Sequence, residues 1–96
     1  MKIEVQYFDG CPHAAEALRL AEQVHERHPQ VQIAITRVRD EEHARSIGFR
    51  GSPTILLDGE DWFGMPAPAE PHLACRFYPN GLPSFKEVEA RLTEPK

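Results

Sequence analysis

A chain of 96 residues is one domain's worth of protein. It can bury roughly 60 to 65% of the surface its unfolded form exposes, so its chemistry must fit on a single modest core. Its 11 basic and 15 acidic side chains leave a net charge of -4, which argues against nucleic acid, a ligand that calls for a basic patch. No apolar run nears the roughly 18 residues of a membrane span, and MKIEVQYFDG does not read as a leader. The expectation is therefore a single cytoplasmic domain over 1–96 without a membrane partner.

In chain order, Ile3, Val5 and Tyr7 alternate with Glu4 and Gln6, the period of a half-buried strand, which stops at the turn pair Asp9-Gly10. Glu4 and Gln6 are polar for a central strand and call for either a polar network or a local opening to receive them. Pro12 suits the first position of a helix, where its missing N–H is no loss. Ala14, Ala17, Leu18, Ala21 and Val24 then recur at helical spacing until Pro29 stops the helix near His28. A second strand is predicted over 31–38, with Ile33 and Ile35 on one face. Asp40 caps a short helix through Ile47, and Gly48 ends it in the left-handed conformation.

Thr54 to Leu57 reads as a short apolar strand closed by Asp58-Gly59. From Asp58 to His72 the prolines Pro66, Pro68 and Pro71 predict a long loop. Its Trp62, Phe63 and Met65 serve either as an exposed apolar patch or as cover for the core. His72 to Tyr78 alternates again and predicts a fourth strand with Leu73, Cys75 and Phe77 on one side. Ser84 and Glu87 form a capping box that opens a last helix with Phe85, Val88 and Leu92 inward. The order β-α-β-α-β-β-α predicts a mixed four-stranded sheet. Its first crossover is parallel and its helices lie on both faces.

Strand, turn and helix thus meet at FDGCPHA, around Cys11. A cysteine at a helix start faces unsatisfied N–H groups and the positive end of the dipole, so its pKa should fall below the free value of about 8.5. His13 is a candidate tuner of that thiol, and Asp9 opposes the effect if its carboxylate approaches the sulfur. Reducing compartments keep thiols free or transiently bonded, so neither Cys11 nor Cys75 is expected to be a permanent staple. Cys75 reads by default as a packed strand residue, with a resolving thiol as the alternative. The two can bridge only if folding brings their Cα atoms within about 7 Å. Cys11 and His13 offer two metal ligands without a pair to complete a zinc site, so no resident metal is expected.

FDGCP at the end of the first strand, followed by GSPT at the start of the third, resembles the thioredoxin-like superfamily over almost the whole chain. That resemblance implies a cis Pro53 facing Cys11, and a Ser52 backbone left free to pair with an extended partner segment or with glutathione. The chain departs from the dithiol C-x-x-C pattern, since Ala14 stands at the second position. It therefore resembles a monothiol site whose mixed disulfide is released by glutathione, a partner protein or Cys75. Cys11-Pro12-His13 is similar to the CPH of bacterial disulfide oxidants, and GFRGSPT and LACRFY resemble small bacterial proteins labelled thioredoxin-like or alkylmercury-lyase-like. Three functions follow as expectations. The first is thiol–disulfide exchange at Cys11 with protein disulfides or glutathione as partner and no bound cofactor. The second is a binding module without turnover, with Arg50 either solvated or attracting a carboxylate. The third is the handling of a thiophilic metal or organomercurial by Cys11 and Cys75.

Overall fold

A computed structural model of the protein describes residues 1–93. Four strands, β1 (Lys2–Tyr7), β2 (Gln32–Arg37), β3 (Thr54–Leu57) and β4 (Glu60–Asp61), lie in the spatial order β2-β1-β3-β4. Three helices, α1 (Ala14–Arg27), α2 (Glu41–Ile47) and α3 (Phe85–Thr93), complete a mixed α/β fold. β1 pairs in parallel with β2, from Lys2↔Gln32 to Tyr7↔Arg37, because α1 carries the chain back to the same end of the sheet. It pairs antiparallel with β3, from Ile3↔Leu57 to Gln6↔Thr54.

Period-2 alternation sends Ile3, Val5 and Ile55 to one face, where Ala17, Leu20, Ala21 and Val24 of α1 and Val88 of α3 bury them. Leu20 rather than Leu18 completes the buried stripe of α1. The capping box at Ser84 forms as read: Glu87 N–H donates to Ser84 Oγ and Ser84 N–H to the Glu87 carboxylate. Asp40 caps α2 by accepting from His43 N–H at 2.7 Å, and Gly48 ends it at φ 66°. A third cluster, Val38, Ala44 and Phe49 with Phe8 against them, fills the space beyond the ends of β1 and β2. Ile35, on the edge strand, stays 47% exposed beside a half-buried Ile33.

Two boundaries differ from the sequence reading. Regular helix begins at Ala14 rather than Pro12, because a turn closed by Ala14 N–H on the Cys11 carbonyl comes first. The fourth strand is Glu60–Asp61, not 72–78. Asp58 and Gly59 both take positive φ, 51° and 86°, and make a two-residue hairpin that returns Asp61 opposite Leu56. The segment 72–78 makes only one bridge, Ser52↔Cys75. The neighbouring Pro53 has no N–H to offer, and its carbonyl accepts from the Tyr78 hydroxyl, so the ladder stops after that residue.

The polar face of β1 finds its network. Glu4 Oε2 accepts from Gln6 Nε2 at 2.8 Å and from Thr36 Oγ1 at 3.0 Å, while Gln6 Oε1 is buried without a hydrogen-bond partner. Register places Leu56 and Asp61 on this same face, opposite α1. Irregular chain after β4 reaches it through Arg76, which pairs with Asp61.

Candidate active site: the Cys11 and Cys75 pair

Cys11 sits in the turn between β1 and α1, 7% exposed, and is joined by a disulfide to Cys75 across 64 positions of sequence, with a Cα separation of 6.0 Å. The reading of Cys75 as a packed strand residue is corrected: it is exposed and lies in irregular chain, bridged to the body of the protein at Ser52 through the backbone of its neighbours Ala74 and Arg76. Of the two states expected for these thiols, free or transiently bonded, the structure holds the bonded one. Ala14 stands where a C-x-x-C site would carry its second sulfur, and the sulfur bonded to Cys11 comes instead from a distant loop.

The Ser52–Pro53 peptide bond is cis, as the resemblance implies. Its surroundings differ from that expectation. Ser52 N–H donates to the Ala74 carbonyl and Arg76 N–H donates to the Ser52 carbonyl, both at 2.9 Å. The backbone expected to await an extended partner is thus already paired with the stretch that carries Cys75. Ser52 Oγ accepts from Phe8 N–H at 3.2 Å, and Thr54 Oγ1 donates to the Gly51 carbonyl at 2.5 Å, which ties the proline loop to the end of β1.

Side chains on the same stretch fix it further. Arg76 makes a two-pronged ion pair with Asp61, Nη1 to Oδ1 at 2.5 Å and Nη2 to Oδ2 at 2.9 Å, with both side chains buried, at 8% and 2% exposure. Its guanidinium lies 4.9 Å from the Tyr78 ring centroid and 5.8 Å from that of Phe63. Burial by itself would raise the Asp61 carboxyl. The Arg76 guanidinium and the N–H groups of Met65 and Phe63 outweigh it and hold the group below the usual range. Burial likewise opposes the charge on Arg76, but Asp61 more than compensates and raises its pKa. Burial pushes the Tyr78 hydroxyl up to about 12, with Arg76 pulling the other way.

The flanking candidates are engaged elsewhere. His13 faces Glu16 across 3.5 Å at the exposed start of α1, and Asp9 is drawn to Arg37 at 2.6 Å. Arg50 donates through Nε to the Met65 carbonyl at 2.7 Å. The residues of the long loop divide. Trp62 packs against the main core with Arg91 over its ring, while Phe63 and Met65 remain exposed. They line an open cleft of about 490 Å³ together with Arg50, Cys75, Phe77 and Tyr78. No group of three metal-ligating side chains occurs among the described residues, and no helix among them is long and apolar enough to cross a membrane.

Asp61, Arg76 and Tyr78 escaped the sequence reading. The Asp58-Gly59 pair was the available signal, since read as a hairpin it places Asp61 across from Leu56. Nothing local marks Arg76 or Tyr78, whose partners lie 15 and 25 positions away.

No family model, curated protein or solved structure matches the chain.

Proposed function

We propose that the protein is a thioredoxin-like thiol–disulfide oxidoreductase whose working pair is Cys11 and Cys75. The observation that carries this reading is that Cys75 is held beside Cys11 by contacts independent of the S–S bond. These are the two backbone hydrogen bonds to Ser52, the Arg76–Asp61 pair and the Tyr78 hydroxyl on Pro53. A disulfide whose two ends stay in register when it opens can close again, as a catalytic cycle requires, whereas a pure staple releases its loop. The sheet order, the Cys11 turn after β1 and the cis Pro53 next to the pair support the thioredoxin-like assignment.

In this cycle the reduced pair gives two electrons to a disulfide substrate. One cysteine thiolate attacks a substrate sulfur and expels the other half as a thiol. The second cysteine then attacks the resulting mixed disulfide, releases the reduced substrate and restores Cys11–Cys75. Protein disulfides or oxidised glutathione are the substrates, and the external reductant is a thiol.

The test is equilibration in dithiothreitol or glutathione redox buffers, followed by circular dichroism and thiol counting at 25 °C. Two thiols should appear and disappear reversibly with the secondary structure retained, and Cys11→Ser should abolish turnover of a disulfide substrate. Unfolding on reduction, without recovery, would make the bond a structural staple and end the proposal.

A further inference from the structure

The proposal above leaves open which sulfur meets the outside thiol, and the two cysteines are not equally reachable. Cys11 is 7% exposed behind the turn that leads into α1, whereas Cys75 is exposed and forms part of the wall of the 490 Å³ cleft, which Cys11 does not line. Thiol–disulfide exchange needs the attacking sulfur to approach in line with the bond it breaks, so access decides the site of attack. The backbone of Ser52 is already filled by Ala74 and Arg76, so an extended peptide has no free strand edge there. The open approach is the cleft.

The cleft's chemistry narrows the visitor. Among the described residues, two cationic ones line it. Arg76 is neutralised by Asp61, while Arg50 uses only its Nε, on the Met65 carbonyl, and its remaining N–H groups take no partner among the described residues. Among the described residues no acidic side chain lines the cleft, and Phe63, Met65 and Phe77 supply apolar wall. Phe77 is 84% exposed.

Resting on the oxidoreductase reading, we propose that Cys75 is the entry sulfur and that the cleft receives a small thiol bearing a carboxylate, which Arg50 selects by charge. The incoming thiolate bonds to Cys75 Sγ as the Cys75–Cys11 bond breaks. Cys11 leaves as a thiolate and takes a proton from water. A second thiolate attacks the sulfur of the bound small molecule, forms its disulfide and releases the Cys75 thiolate. The protein has then gained two electrons and the small thiol has been oxidised. In the reverse direction Cys75 forms the mixed disulfide and Cys11 resolves it. The roles run opposite to the first expectation, in which Cys11 meets the substrate.

Glutathione and the uncharged 2-mercaptoethanol are the probes. Oxidised protein is mixed with each, quenched with acid within a turnover and mapped by mass spectrometry. In parallel, Cys11→Ser and Cys75→Ser are reacted with oxidised glutathione. The adduct is expected on Cys75, and Cys11→Ser should glutathionylate at least about tenfold faster than Cys75→Ser. Arg50→Ala should slow the glutathione reaction about fivefold and leave 2-mercaptoethanol unchanged. A purely structural role for Arg50 would slow both alike and would overturn the selection. An adduct on Cys11, or a faster Cys75→Ser, would overturn the entry assignment while leaving the oxidoreductase reading intact. Failure of either cysteine to react with any thiol would remove both.

Discussion

Cys11 and Cys75 share one bond but are held by different means. Cys11 is placed by local structure: β1 ends, a turn closes on its own carbonyl, and α1 begins at Ala14. Cys75 has no such frame. Its stretch is irregular, and it is positioned by neighbours that reach across the molecule, Ala74 and Arg76 to Ser52, Arg76 to Asp61 and Tyr78 to Pro53. One cysteine belongs to the scaffold and the other to a side-chain clamp. The physical difference is that the first position follows from neighbours in sequence, whereas the second depends on a few polar contacts made across the fold.

The largest way to sharpen this contrast is to open the bond. The disulfide closes a loop of 64 positions, and by chain entropy its loss should cost about 4 kcal/mol, a fall in Tm of roughly 20 °C. If the clamp acts as described, hydrogen exchange in the reduced protein will still protect the amides of Ser52 and Arg76. Protection lost at both amides, with the β1 and β3 amides unchanged, would mean that the bond alone holds the second region.

Next in size is the clamp itself. Arg76→Ala leaves Asp61 as a buried anion without its guanidinium, a defect of about 3 kcal/mol. It should also slow reclosure of the disulfide from the reduced state, an effect that loss of core packing on the Cys11 side would not produce selectively. The pH dependence has a definite sign. Because the Asp61 carboxyl is lowered in the folded protein, the pair's contribution is fully present above the ordinary carboxylate range. It is lost as pH falls through the lowered value, below about pH 4. Acid titrations of stability should therefore be steeper for the wild type than for Arg76→Ala, and parallel curves would refute the assignment.

That division between scaffold and clamp also explains what could be read in the sequence. Apolar periodicity and caps are local, so β1, β3, α2 from Asp40 to Gly48 and α3 from Ser84 emerge where the pattern puts them. The turn holding Cys11 emerges for the same reason. Alternation at Leu73, Cys75 and Phe77 carried the same signal as a strand, yet a strand also needs a partner with free N–H and C=O groups. Beside Ser52 there is only Pro53, so one bridge forms and Phe77 is left to solvent. The pairing of Cys11 with Cys75 stayed one alternative in the sequence because the two lie 64 positions apart, and no local pattern supplies the Cα separation that decides whether they bridge.

The smallest effect tests how closely the two regions must approach. Gly51 precedes Ser52 at φ 111°, and a Cβ built there would lie 2.8 Å from the Arg76 Cβ and 3.3 Å from its backbone nitrogen. Two separate costs meet at this position. An L side chain is strained at positive φ whatever its surroundings, and here the obstacle includes backbone that the Ser52 hydrogen bonds hold in place. Gly51→Ala should cost about 2 kcal/mol. Part of that cost is relieved if the 74–76 stretch shifts outward, which would lengthen the path between the two sulfurs. The variant is thus expected to lower Tm modestly and to shift the thiol–disulfide equilibrium toward the reduced form. Gly81→Ala is the control, since its φ of 78° is also positive but a Cβ there meets nothing within 4 Å. It should share the stability loss and leave the redox equilibrium where it was. Equal redox shifts in the two variants would mean that strain alone is responsible and that the contact between Gly51 and Arg76 does not set the position of Cys75.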